Sequence, residues 1–289
     1  MSTDSSTPFD GLRVAIFEAR MAGALAELVA RQGGIPVAAP ALREVPLGDN
    51  PAARSFADGL LAGRFDVVIF ETGVGVRLLV ESLAPRLSPA GWAEALSKTK
   101  VVARGPKPAA ALRELGASVD LPVPEPNTWR ETLALLDARL PVAGSRVAVQ
   151  EYGQPVPELT NGLEQRGAVV TRVPVYRWAL PEDTGLLRAA LTEIAERRIG
   201  AALFTSAQQV EHVLQVAAAA GIEDGVRAAM AEHVVVGSIG PTTSAALRAR
   251  GLPVDIEPEH PKSGHLVAAV AAGWRLIAKA GTGKSPGGP

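Results

Sequence analysis

One stretch of this chain occurs twice, and that repetition limits the architecture more than any single motif. Val234–Val236 reads as a buried β-branched strand and Gly237–Gly240 as a turn. Pro241 suits the first turn of a helix, where a missing N–H costs nothing, and Gly251 ends that helix as a left-handed cap. The helix start, with the hydroxyls of Thr242, Thr243 and Ser244, aims unpaired N–H groups at the C-terminal edge of a sheet, where anions are attracted. An ordinary hydroxyl-capped turn has the same sequence. Upstream, Gly105 lines up with Gly240, Pro106 with Pro241, Ala110–Arg113 with Ala245–Arg248, and Gly116 with Gly251. Arg64–Phe70 likewise matches Arg198–Phe204, and Val14–Glu18 matches Val147–Glu151. The chain is two copies of one α/β unit. The period is too long for a solenoid and suits a duplicated domain.

The 289 residues are enough for two domains with a core each. A net charge of −1 removes the electrostatic argument for a nucleic-acid partner. With no cysteine, disulfides, thiolate chemistry and Cys-ligated metals are excluded. The first ten residues lack a basic, apolar, cleavable leader, and no apolar run reaches the length of a membrane span. A cytoplasmic, soluble monomer is expected, with disordered residues at 1–11 and in a Gly/Pro/Ser-rich tail at 279–289.

Strands are expected at Leu12–Phe17, Ile35–Leu42, Phe65–Phe70, Lys100–Ala103, Val119–Val123, Arg146–Gln150, Ala168–Tyr176, Ala201–Phe204, Val234–Val236 and Val254–Glu257. Helices of roughly ten residues alternate with them, which implies parallel sheets covered on both faces. In such sheets ligands bind beyond the C-terminal strand ends. A Pro-rich break at Val45–Pro51 and a polar break at Pro181–Glu182 divide the chain.

Several catalytic motifs are incomplete. Gly281–Ser285 resembles the end of a phosphate-binding loop, but Ala278 stands where the motif needs glycine and no helix follows. Gly73-Val-Gly75 lacks the third glycine of a dinucleotide turn, since Leu78 stands there. His212, His233, His260 and His265 share no metal-ligand spacing and read as surface histidines, and no Gly-x-Ser-x-Gly elbow supports a Ser-His-Asp site. What remains is a set of turns of one kind: Thr72-Gly73, Gly105-Pro106-Lys107, Tyr152-Gly153, Thr205-Ser206 and Gly240-Pro241-Thr242-Thr243. They offer hydroxyls and bare N–H groups but no strong base or nucleophile. That pattern suits holding a ligand rich in acceptor oxygens in a set shape. Tyr152 and Tyr176, the only tyrosines, are candidate proton donors.

At Phe204-Thr-Ser206, Ile239-Gly-Pro-Thr-Thr243 followed by Ala245-Ala-Leu247, and Val173-Pro-Val-Tyr176, the chain resembles the uroporphyrinogen-III synthase family, over roughly residues 12–278. The resemblance implies two flavodoxin-like parallel-sheet domains joined by a two-stranded linker, with a ligand cleft between them. One domain is 1–42 plus 179–278, and the other is 45–174. A threonine often found after the first Gly turn in the family is replaced here by Lys107-Pro108. Thr72–Arg77 and Ala103–Lys107 look like a bacterial branch whose relatives are sometimes fused to a DNA-binding module. No such module is present in this sequence, and the tail is where one would attach.

The resemblance further implies a cyclising lyase that needs no cofactor. Its substrate is hydroxymethylbilane, a linear tetrapyrrole with eight carboxylates, which loses water and closes with inversion of the last pyrrole ring. Tyr176 would assist departure of the hydroxyl. Thr72, Gly73, Arg77, Arg104, Gly105, Lys107, Tyr152, Gly153, Thr205, Ser206, Gly240, Thr242 and Thr243 would hold the substrate. The alternative is a non-catalytic module of the same fold that binds a tetrapyrrole or another polyanion.

Overall fold

Apolar β-branched runs punctuated by glycine turns form eleven short strands among the residues that the structure, a computed structural model, describes: 7–84, 86–153 and 155–277. The expected tail, most of the expected lead and the Gly281–Ser285 run lie outside the described residues. From Thr7 on, the lead is packed rather than loose. Phe9 is fully buried, its N–H bonds Gln32 O at 2.9 Å, and Trp274 Nε1 donates to Pro8 O at 2.9 Å.

The chain begins with β1 (Arg13–Ile16), α1 (Ala22–Arg31) and β2 (Ile35–Ala38), then runs through β3 (Arg43–Pro46). There follow α2 (Pro51–Leu61), β4 (Val67–Phe70), α3 (Gly73–Leu83), α4 (Pro89–Leu96), β5 (Lys100–Ala103), α5 (Pro106–Glu114), β6 (Leu121–Pro122), α6 (Trp129–Arg139), β7 (Arg146–Gln150), α7 (Pro157–Gln165) and β8 (Val169–Val173). After β9 (Tyr176–Ala179) come α8 (Gly185–Ala195), β10 (Ala201–Phe204), α9 (Ala207–Ala219), α10 (Glu223–Glu232), β11 (Val235–Ser238), α11 (Pro241–Ala249) and α12 (Ser263–Gly273).

These elements sort into two units. One is formed by the chain up to Arg43 and from Ala179 on, the other by Glu44–Trp178. In the first unit the strand order is β11-β10-β1-β2, extended by a single parallel bridge from Gly237 to Ile256. In the second it is β6-β5-β4-β7-β8, and the ladders in both sheets are parallel. Strands β3 and β9, where the chain passes between units, form a separate two-stranded sheet.

The sequence copy is not the folded unit. At the centre of the first sheet β1 of the first copy pairs with β10 of the second, Val14 opposite Ala201. At the centre of the second sheet β4 of the first copy pairs with β7 of the second, Val67 opposite Val147. Each unit therefore takes two strands from one copy and the rest of its sheet from the other.

Alternation along the strands divides each core in two. In the second unit Val68, Phe70, Val101 and Ala103 face a cluster with Phe56, Leu79 and Trp92, whereas Val67, Ile69, Val102 and Val149 face Leu133, Leu136 and Leu163. In the first unit Phe17, Phe204 and Val236 pack with Leu191 and Val213, and Ile16, Leu203 and Val235 with Leu25 and Val270. Among the described residues no helix is long and apolar enough to cross a membrane.

Five expectations need correction. The single strand at Ala168–Tyr176 is two, because Pro174 has no N–H to continue the ladder. Tyr176 therefore opens β9 instead of closing β8. The strand from Ile35 ends at Ala38, and part of the supposed connection after Val45 is β3. Gly237 and Ser238 belong to β11 rather than to a turn, and Val254–Glu257 contributes only its bridge.

Candidate functional site

Parallel strands deliver their C-terminal residues to one sheet edge, and in the second unit that edge collects most of the polar side chains. β4 ends in the fully apolar run Val67–Phe70, so the next residue, Glu71, is carried into the interior with its side chain inaccessible to solvent. Thr72 is extended and caps α3, its Oγ1 accepting from Gly75 N–H at 3.0 Å. Gly73 lets α3 start close to α5, because a Cβ there would stand 2.7 Å from Lys107 O. Gly75 makes room for the buried Gln150 side chain, which accepts from Thr72 N–H at 3.4 Å and donates to Glu151 O.

At the end of β5, Arg104 precedes Gly105, whose φ of +95° suits glycine. Arg104 Nη1 lies 3.4 Å from Glu71 Oε1, and the guanidinium stacks on the Tyr152 ring at 4.2 Å. Tyr152 meets Trp178 edge-on at 5.3 Å between ring centroids, and Trp178 meets Tyr176 at 6.4 Å. The chain closes on itself here, because Tyr176 Oη lies 3.3 Å from Thr72 Oγ1. Glu151, next to Tyr152, is held by Arg172 through Nε at 2.5 Å and Nη2 at 3.3 Å. Beside this pair is a pocket of about 470 Å³, with Gly153, Pro174, Tyr176 and Arg177 also in its wall.

Burial sets the protonation of two of these groups. It raises the Tyr176 phenol to about 12, against the Thr72 hydrogen bond, so the hydroxyl keeps its proton at any physiological pH. It also raises Glu71 from the ordinary 4.5 to about 7, with Arg104 pulling it down and Glu151 pushing it further up. Neither Glu71 oxygen has a hydrogen-bond partner among the described residues.

The structure thus brings together Thr72, Gly73, Arg104, Tyr152, Gly153 and Tyr176, with Gly105 and the exposed Lys107 at the adjoining start of α5. Arg77 is engaged elsewhere. Its guanidinium makes a two-pronged bond with Glu114, at 2.9 to 3.1 Å, that ties α3 to α5. Gly153 has φ +61°, and a Cβ would collide with the Trp178 ring. Gly153→Ala is therefore expected to push Trp178 away from Tyr152 and Tyr176 and to cost about 1–3 kcal/mol. A shifted tryptophan emission together with a lower denaturant midpoint checks this, and an unchanged spectrum and midpoint contradict it.

The corresponding edge of the first unit is hydroxyl-rich. Thr205 Oγ1 donates to Glu18 Oε2 at 2.6 Å and accepts from Gln209 Nε2 at 2.9 Å, and Ser206 caps α9 through Gln208 N–H at 3.2 Å. Gly240 precedes α11, with Thr242 exposed and Thr243 buried in its first turn. Ser244 Oγ donates to Ser238 Oγ at 2.8 Å and also meets Glu257.

Two histidines expected on the surface are buried. His212 is placed on α9 with Nδ1 2.6 Å from Ala41 O and Nε2 2.9 Å from Gln208 Nε2, and His233 ends α10. Among the described residues no group of three His, Cys, Asp or Glu could hold a metal ion. The sequence reading missed Glu71, Gln150, Glu151, Arg172 and Trp178. One signal could have found the acids: Phe17-Glu18, Phe70-Glu71 and Gln150-Glu151 each put a glutamate within two residues of a strand's C-terminal end, where ligands bind.

Comparison with known proteins agrees with this architecture. The family model described as uroporphyrinogen-III synthase HemD matches residues 23–268. The uncharacterized protein YjjA of Bacillus subtilis (strain 168) is 30% identical over 264 residues, spanning 90% of this chain and 95% of that protein. A putative uroporphyrinogen-III synthase of Methanothermobacter thermautotrophicus is 30% identical over 246 residues, spanning 85% of this chain and 91% of that one. A crystal structure of a mutant uroporphyrinogen III synthase from the extremely thermophilic bacterium Thermus thermophilus superposes with a TM-score of 0.68 at 26% identity, covering 92% of this chain and all of that one.

Proposed function

The chain belongs to the uroporphyrinogen-III synthase family, and from that premise we propose that it closes hydroxymethylbilane to uroporphyrinogen III in the cytoplasm, without a cofactor. Water leaves, the pyrroles supply the electrons for closure, and the last ring is inverted through a spiro intermediate. Unassisted closure gives the uninverted type I isomer, so the protein's task is control of geometry, and orientation alone lowers a barrier by several kcal/mol.

The observation that carries this reading is the state of Tyr176. Its phenol is buried, held by Thr72 and still protonated at neutral pH. Burial makes it a weaker acid than an ordinary phenol, so what it contributes is a fixed hydroxyl that hydrogen-bonds the departing oxygen and has a proton to give as charge develops there. Arg104, Lys107 and the N–H groups at the start of α3 hold substrate carboxylates in the second unit. Thr205, Ser206, Gly240, Thr242 and Thr243 do so in the first.

Product analysis tests the reading. The pure chain is incubated with fresh hydroxymethylbilane, the products are oxidised, and the type I and type III uroporphyrins are separated. Type III is expected to dominate. Type I alone, at the spontaneous rate, would reject the synthase. It would leave the second reading, a tetrapyrrole-binding module without chemistry. That reading is favoured by Glu71, which already occupies the best carboxylate-binding arginine. Thr243→Ala is expected to raise KM about 3- to 10-fold with kcat little changed, the loss of about one hydrogen bond to substrate. An unaltered KM would remove Thr243 from the site.

A further inference from the structure

We propose that Glu71 is an internal stand-in for a ligand carboxylate: it occupies Arg104 in the free chain, and gives it up and takes a proton when a polycarboxylate binds. This rests on the reading above that carboxylates are the substrate's handles.

Three observations carry it. First, the pair is unfinished. Arg104 Nη1 stands 3.4 Å from Glu71 Oε1, longer than a charge-assisted bond of about 2.8 Å, and neither carboxylate oxygen has a hydrogen bond among the described residues. A buried carboxylate in that state is costly. Second, the fold does not require these charges. In the aligned copy Thr205 stands at the place of Glu71 and Ile239 at the place of Arg104, after strands of the same kind, and Thr205 is fully hydrogen-bonded to Glu18 and Gln209. The equivalent of Glu18 is Glu151, and Arg172 holds it. Third, Arg104 remains reachable. Its side chain is 18% exposed and Tyr152 covers one face of the guanidinium, whereas Glu71 is sealed from solvent.

The charged and titratable groups around the pair fix the sign. Arg104 from the end of β5 favours ionised Glu71, and Glu151 from the end of β7 opposes it. Tyr152 and Tyr176 face Arg104, and Glu44 of β3 acts on Tyr176. Burial puts free Glu71 near 7, so above that pH it is ionised. A ligand carboxylate on Arg104 removes the attraction and adds a second anion, so Glu71 takes one proton from the buffer. Binding thus takes up a proton above pH 7 and none well below it. The ligand's own carboxylates are ionised throughout this range. Affinity is therefore flat below pH 7 and falls above it, by up to about 10-fold per pH unit.

The test is calorimetric titration of the full chain with uroporphyrin I, an octacarboxylate, at pH 8 in phosphate and in Tris, whose ionisation enthalpies differ. The wild type is expected to take up close to one proton. In Glu71→Gln the uptake is lost and affinity at pH 8 rises about 10-fold. Glu71→Thr, which imports the other copy's residue, is expected to do the same and guards against a misfit of glutamine. Uptake that persists in both variants, or is absent from the wild type, overturns the proposal. So does a failure of uroporphyrin I to bind at any pH from 6 to 9. None of these results touches the isomer assay, so a synthase without this device, and a device without synthase activity, are told apart.

Discussion

Tyr176→Phe is expected to lower kcat for type III formation about 100-fold or more, while the affinity for uroporphyrin I stays within a few-fold of wild type. Phenylalanine keeps the ring, and with it the contact to Trp178 at 6.4 Å and the packing of Tyr176 into the core cluster around Phe70 and Val175. Only the hydroxyl and its 3.3 Å contact with Thr72 Oγ1 are lost. Positioned acids contribute about 10²–10⁴-fold; Tyr176 has a fixed direction and keeps its proton at working pH, while its raised pKa makes it a weak acid and puts it at the low end of that range. A loss in kcat at constant affinity marks an interaction made in the transition state. The alternative origin of a loss, disturbance of the α3 start, is separated by Thr72→Ser, which keeps the capping oxygen and should keep most activity. The kcat profile of the wild type should show no tyrosine titration below about pH 10. An unchanged kcat in Tyr176→Phe would remove the acid from the mechanism.

Much of this edge was legible in the sequence because it is local. Val-Val-Ile-Phe before Glu71 and the Gly-Pro starts of α5 and α11 specify strand, turn and helix within a dozen residues, and the βα turns at Thr72, Gly105, Thr205 and Gly240 follow from them. What was not legible depends on pairings distant in sequence. Glu71 is an ordinary polar residue until β5 brings Arg104 beside it, with the guanidinium stacked on Tyr152 from the end of β7. Arg77 has the right charge near the right turn, but three residues of helix carry it round to Glu114. His212 sits in a polar-looking helix and is buried because the chain after β2 passes over it, offering Ala41 O. The copies themselves were visible in the residues, but their exchange of strands was not, since both copies carry the same hydrophobic pattern and either pairing buries it; only the family resemblance, with one domain at 1–42 plus 179–278 and the other at 45–174, implied it.

That exchange has a direct consequence for fragments. Glu44–Trp178 is expected to fold alone and unfold cooperatively, because all five strands of its sheet and every buried residue of its two core clusters come from within it. The first sequence copy, residues 1–143, is of similar length and richer in apparent symmetry, yet it is expected to be unfolded or aggregated. It holds β1 and β2 without β10, and β4, β5 and β6 without β7. The lost partner strips one side of β4, exposing backbone along Val67–Phe70, a strand buried on both faces. Two such fragments could complete each other only by pairing β1 with β4. That would put Phe17 where Gln150 fits against Gly75 and hydrogen-bonds Thr72. Mixing residues 1–143 with 144–289 should instead restore both sheets as a one-to-one complex. Circular dichroism melts of the three samples, with mass measured by light scattering, decide the matter. A cooperative melt for 1–143 alone, or none for Glu44–Trp178, would mean that the strand exchange is not what makes each unit complete.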